Sequence, residues 1–152
     1  AIEIAQAGDF VFGGTEEAPE GLGLSAPISQ GGTNVSGGQK QRLSIARALV
    51  KKPPIFIFDD SFSALDFRTD AALRRALSEK HADTTAVIIA QRVSSIKGAD
   101  LILVLEEGRA IGQGTHEQLM RDCPVYREIA QVQMGAEQGY IGGADSLRGV
   151  AQ

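Results

Sequence analysis

Apolar positions fall along this chain in two rhythms. From 36 to 50, Leu43, Ala46, Leu49 and Val50 recur at helical spacing, and Pro53-Pro54 follow just beyond. Ile55-Phe56-Ile57-Phe58 is then a continuous apolar run, which suits a strand buried on both faces of a parallel sheet. The alternation repeats. The pattern predicts a helix over 66–81, a buried strand over 86–90, a helical turn over 94–98 and a strand over 101–105. Glu107-Gly108 turns the chain into a hairpin partner over 109–111. Thr115-His116-Glu117-Gln118 carries a capping-box pattern, and a last amphipathic helix is expected over 124–133. Residues 1–8 read as helix. Residues 9–34 read as loop, broken by Gly13-Gly14, Pro19, Gly21, Gly23, Pro27 and Gly31-Gly32.

Strands that alternate with helices predict an α/β fold with a mostly parallel sheet. Three parallel strands and a hairpin make half of such a sheet, so further strands are expected upstream of Ala1. The organisation expected is a body over 1–134, with 1–50 as a helical region and 51–134 running from the first apolar strand, 55–58, to the last helices. Residues 135–152 are expected to form a flexible tail.

Composition changes this picture little. The chain has 152 residues, 43% hydrophobic and 22% charged, with a formal charge of −4. That balance argues against a nucleic-acid partner, which calls for a basic face. The single cysteine, Cys123, excludes an intrachain disulfide. No run approaches the ~20 apolar residues that cross a bilayer. His81 and His116 lack the cysteine or histidine partners of a metal site; His116 is read as an exposed residue in the first turn of its helix.

The chemistry concentrates in Val35-Ser36-Gly37-Gly38-Gln39-Lys40-Gln41-Arg42-Leu43-Ser44-Ile45-Ala46-Arg47-Ala48-Leu49. A small polar residue and two glycines stand at the mouth of a long helix. Backbone N–H groups and the positive end of the helix dipole converge there, and glycines permit close approach. Such a mouth suits a phosphate. Ser-Gly-Gly alone is more often a plain helix cap. The second feature is the strand that ends in Asp59-Asp60, where open α/β sheets bind ligands and where Mg²⁺ finds hard oxygen ligands. Alone it is more often a strand ended by solvated acids.

As a block, 35–49 closely resembles the signature motif of the ATP-binding cassette (ABC) ATPases, and residues 1–133 resemble the latter half to three-fifths of such a cassette. The resemblance implies a partial P-loop NTPase fold with a helical signature subdomain and the N-terminal half missing. It implies ATP and Mg²⁺ as cofactors and a second ABC ATPase domain as partner. In the family, the signature presses on the γ-phosphate of ATP held by that partner, which assigns Ser36, Gly37, Gly38 and Gln39 to the partner's nucleotide. Asp59 matches the magnesium-associated aspartate. Asp60 stands where active members carry a glutamate, and aspartate is one methylene, about 1.5 Å, shorter. Misplacement on that scale costs on the order of 10²-fold in rate. Ser63-Ala64-Leu65-Asp66 resembles the loop that crosses the dimer interface, and Asp66 also reads as a helix cap. Gln91 stands where the family usually has a switch histidine; its amide can donate, but it carries no charge.

Asp60 and Gln91, the two catalytic candidates, therefore imply a degenerate site of the chain's own beside an intact signature. That is the pattern of one subunit of a heterodimeric ABC exporter, attached to transmembrane domains and placed at the cytoplasmic face of the cell membrane. Gln30 stands where exporters carry a glutamate in a loop that touches those domains, and residues 13–18 read as extra loop. No Gly-x-x-x-x-Gly-Lys-Ser/Thr occurs, so the chain alone is expected to bind ATP weakly. The alternatives are a soluble ABC ATPase outside transport and an inactive fragment. The transported substrate is not legible.

Overall fold

The computed structural model describes residues 1–13 and 20–145. The element order is α1 (Gly8–Phe12), α2 (Gly37–Val50), β1 (Ile55–Asp59), α3 (Phe67–Lys80), β2 (Thr85–Ile89), α4 (Val93–Ile96), β3 (Ile102–Glu106), β4 (Arg109–Gly114), α5 (His116–Asp122) and α6 (Pro124–Asp145). This is an α/β chain, with two compact units, Ala1–Ala90 and Gln91–Gln152. Among the described residues no helix is long and apolar enough to cross a membrane.

In the first unit β1 and β2 pair in parallel, Ile55 opposite Thr85 and Asp59 opposite Ile89. Phe56 and Phe58 point inward and stack at 5.6 Å, and Phe58 meets Phe62 at 5.3 Å. Ile45 and Leu49 of α2 and Leu73 of α3 close this core. Strand alternation puts the other side chains on the opposite face. There Ile57 is 71% exposed and Ile89 48%, so the double-sided burial expected of both strands is not found. The strand read over 101–105 is present as β3, but among the described residues its pairing is antiparallel, with β4.

The start of the chain also departs from expectation. Ala5 donates to the Ala1 carbonyl at 2.9 Å, one helical turn. Gln6 then takes φ +55°, which ends the turn before α1 begins. Left-handed backbone cannot continue a right-handed helix. The helix read over 1–8 is thus a single turn followed by a break. The extra loop read at 13–18 lies, beyond Gly13, outside the described residues.

The caps agree with the sequence. Asp66 caps α3 by accepting from Arg68 N and Thr69 N at 3.0 and 2.9 Å. Asp70, 1% exposed in the first turn of α3, accepts from Arg74 Nε at 2.9 Å. A buried carboxylate is tolerated there because it has a cation and lies at the positive end of the helix.

In the second unit the hairpin turns through Glu107 and Gly108, with φ +46° and +76°. Two left-handed residues in sequence match the twist of a tight hairpin, and Gly108 takes its place without steric cost. Ile102 and Val104 face Leu119, Cys123, Tyr126 and Ala130 of α5 and α6. Thr115 and Gln118 form the expected capping box. α6 continues past 133 to Asp145. That stretch includes Gly135, Gly139, Gly142 and Gly143, poor helix formers that sequence propensity reads as an end to the helix.

Candidate functional site

The mouth of α2 is built by a reciprocal cap. Ser36 is the N-cap, with extended φ −68° and ψ 164°. Its Oγ accepts from Gln39 N at 3.2 Å, and Gln39 Oε1 accepts from Ser36 N at 2.9 Å. Lys40 N donates to the Ser36 carbonyl at 2.9 Å. The N–H groups of Gly37 and Gly38 come before these, and among the described residues no protein group accepts from them. Val35 is buried and anchors the approach, while Ser36 and Gly37 are exposed.

The two glycines have different reasons to be glycine. A Cβ on Gly38 would meet the Ala64 carbonyl oxygen at 3.1 Å. A Cβ on Gly37 would meet only Ala64 Cβ at 3.8 Å, an ordinary van der Waals distance. Neither glycine has a positive φ. Folding therefore explains the missing side chain at 38 and leaves the one at 37 unexplained.

The carboxylates stand at the carboxyl end of β1. Asp59 and Asp60 are both exposed. Asp60 has φ +47°, and its N–H donates to the Ile89 carbonyl at 3.0 Å. The chain then runs over 61–66, pinned by the buried side chains of Phe62 and Leu65. Among the described residues no group of three or more His, Cys, Asp or Glu gathers into a metal cluster. The donor set at Asp59 and Asp60 fits a magnesium ion that draws most of its oxygens from phosphates and water. Asp66 is committed elsewhere. Hydrogen bonds from the backbone and hydroxyl of Thr69, helped by Arg68 N, hold its carboxyl below the usual carboxylate range against the opposing effect of burial.

A residue of the motif to which the sequence assigned no role ties these parts together. Gln41 Oε1 accepts from Ala64 N at 2.9 Å, and Gln41 Nε2 donates to Ser63 Oγ at 3.0 Å and to the Asp60 carbonyl at 3.3 Å. Arg42 likewise ties α2 to the start of the chain: Nη1 donates to the Gln6 carbonyl at 2.6 Å and to Asp9 at 3.2 Å, over the Phe10 ring at 4.7 Å. Both side chains reach partners about twenty or more residues away, which periodicity cannot show.

So Ser36 to Gln39, Asp59, Asp60 and 63–66 belong to the first unit, and Gln91 belongs to the second. Within the second unit, Gln133 of α6 donates to the Gln91 carbonyl at 2.9 Å and accepts from Val93 N at 2.8 Å. Gln91 itself is exposed. His116 is half-buried, in contrast to the exposed position read from sequence, and its Nδ1 lies 2.8 Å from the Tyr126 hydroxyl. Burial, and then the Glu117 charge, raise the pKa of that tyrosine.

A family model described as "ABC transporter" matches residues 15–63. An uncharacterised ABC transporter ATP-binding protein of Mycobacterium tuberculosis is 43% identical over 143 residues, which is 93% of this chain and 23% of the relative. An ATP-dependent lipid A-core flippase of Photobacterium profundum is 42% identical over 135 residues, 89% of this chain and 22% of the relative. Among solved structures, a bacterial Atm1-family ABC exporter with ATP bound superposes with a TM-score of 0.76 at 36% identity, over 87% of this chain and 22% of that one. The chain thus spans about a fifth of the length of the proteins it matches.

Proposed function

This chain belongs to the nucleotide-binding domains of ABC transporters, and from that premise we propose that it completes the ATP site of a partner cassette in an exporter. In this reading Ser36, Gly37, Gly38 and Gln39 aim the N–H groups and dipole of α2 at the γ-phosphate of ATP held by the partner. Charge that develops on that phosphate as water attacks is stabilised by fixed donors, which suits phosphoryl transfer, a reaction that relies on positioning and electrostatics. Asp59 supplies an oxygen to Mg²⁺ at the chain's own site, and the ion neutralises phosphate charge when bound. Asp60, one methylene short, and Gln91, uncharged, are each poor replacements for the glutamate and the histidine of active members. The 63–66 loop lies at the cassette interface. ATP binding and hydrolysis then drive membrane domains from the cytoplasmic face, with this chain as the weaker half of a heterodimer.

One observation carries the reading: Gly37, at an uncapped pair of N–H groups, lacks a side chain that its own fold would accommodate. A ligand that must come close accounts for that. The test uses the full-length transporter. Ser36→Asp keeps a good N-cap, so α2 survives, and sets a negative charge against the phosphate. ATPase activity should be lost, while Asp60→Asn should leave most of it. Intact activity in Ser36→Asp would overturn the assignment, and its loss in Asp60→Asn would place the working site in this chain.

A further inference from the structure

We infer that Gln41 is a positioning residue that locks the loop after Asp60 to the mouth of α2, so that the two faces of the nucleotide machinery in this chain move as one piece. The inference rests on the functional reading above. The side-chain amide of Gln41 uses both ends on the loop: Oε1 takes the Ala64 N–H at 2.9 Å, and Nε2 gives to Ser63 Oγ at 3.0 Å and the Asp60 carbonyl at 3.3 Å. Ser63 Oγ closes the ring by donating to the same Asp60 carbonyl at 3.0 Å.

Two further observations say that this clamp governs position. Asp60 holds φ +47°, a left-handed conformation that persists where its surroundings impose it. Its carbonyl is gripped by Gln41 and Ser63, and its N–H by Ile89. The loop also lies directly on the helix mouth, since a Cβ on Gly38 would come within 3.1 Å of the Ala64 oxygen. A shift of the Asp60 loop must therefore tilt Ser36 to Gln39 or break the Gln41 amide bonds. Folding of the loop does not need the amide, because the buried side chains of Phe62 and Leu65 already anchor it. Gln41 touches no reacting atom in this reading; it acts through the mouth of α2.

The experiment uses the full-length transporter with Gln41→Met, which keeps length and removes both hydrogen-bonding ends, and Gln41→Glu, which keeps the acceptor for Ala64. Steady-state ATPase kinetics, thermal melting and amide exchange over 60–65 are measured, with Ser36→Asp as the control. Gln41→Met should lower kcat by about tenfold or more, the scale of a sub-ångström to ångström misplacement. KM for ATP should stay within about twofold, since ground-state grip on the nucleotide lies elsewhere. Exchange at Ala64 should rise with melting unchanged. Gln41→Glu should restore Ala64 protection and recover part of kcat. Wild-type kcat in Gln41→Met overturns the proposal, as does a loss that only tracks a fall in melting temperature, or a Gln41→Glu variant no better than Gln41→Met. If Ser36→Asp is fully active, the functional reading fails and this proposal falls with it. If Ser36→Asp is dead and Gln41→Met is normal, the clamp alone is wrong.

Discussion

Replacing Gly37 by alanine separates what the fold needs from what a ligand needs. The new methyl would lie 3.8 Å from Ala64 Cβ and meet nothing closer outside its own helix. The backbone at 37 has no positive φ, so alanine fits without strain. In a helix interior, alanine is favoured over glycine by about 0.5–1 kcal/mol. Gly37 is the first residue of α2, where the gain is smaller, so the expected change runs from zero to about 0.5 kcal/mol stabilising. For a chain of this size that is a rise in melting temperature of at most about 2 °C. Urea unfolding of the chain measures it directly. In the full-length transporter the same methyl would stand over the two open N–H groups, and ATPase activity should fall on the order of 10²-fold. Gly38→Ala gives the contrast: its methyl would press on the Ala64 oxygen at 3.1 Å, so stability should fall as well as activity. A Gly37→Ala chain destabilised by more than about 1 kcal/mol would refute the packing argument, and one with normal ATPase would refute the ligand argument.

Asp66→Ala should cost about 1 kcal/mol through the lost cap of α3, while Asp66→Asn should stay within a few tenths, as both are read by urea unfolding. The Asp66 carboxyl titrates below its unfolded value, so its charge-dependent share of stability is present above about pH 4 and is lost as pH falls through the folded pKa; Asp66→Asn should flatten that part of the acid limb. Arg42→Met keeps an apolar side chain but loses the bonds to Gln6 and Asp9 and the guanidinium over Phe10; a destabilisation of about 2 kcal/mol is expected in the same assay, and one below about 0.5 would mean that the start of the chain is held without it. In the full-length transporter, Asp60→Glu should raise ATP turnover by up to about twofold as the second site joins the first, and an unchanged rate would show that the missing methylene is not what limits the chain's own site.

Local physics was legible in the residues themselves. Ser36, Asp66 and Thr115 were readable as caps because a cap needs only a side-chain oxygen and the next three backbone amides. The tight turn at Glu107-Gly108 was likewise a short-range matter. The signature block could be recognised because its glycines, cap and amphipathic helix are contiguous. What required tertiary structure was every decision made across long stretches of chain. Apolar runs look alike whether one or both faces are covered, so Ile57 and Ile89 could not be told from Phe56 and Phe58. Strand partners are chosen by packing and not by local pattern, so the antiparallel pairing and register of β3 with β4 had to come from the structure. The Gln41 clamp, the Arg42 tether and the His116–Tyr126 pair join residues that no periodicity relates, because a side-chain hydrogen bond depends on where the backbone brings two groups and not on their spacing in sequence.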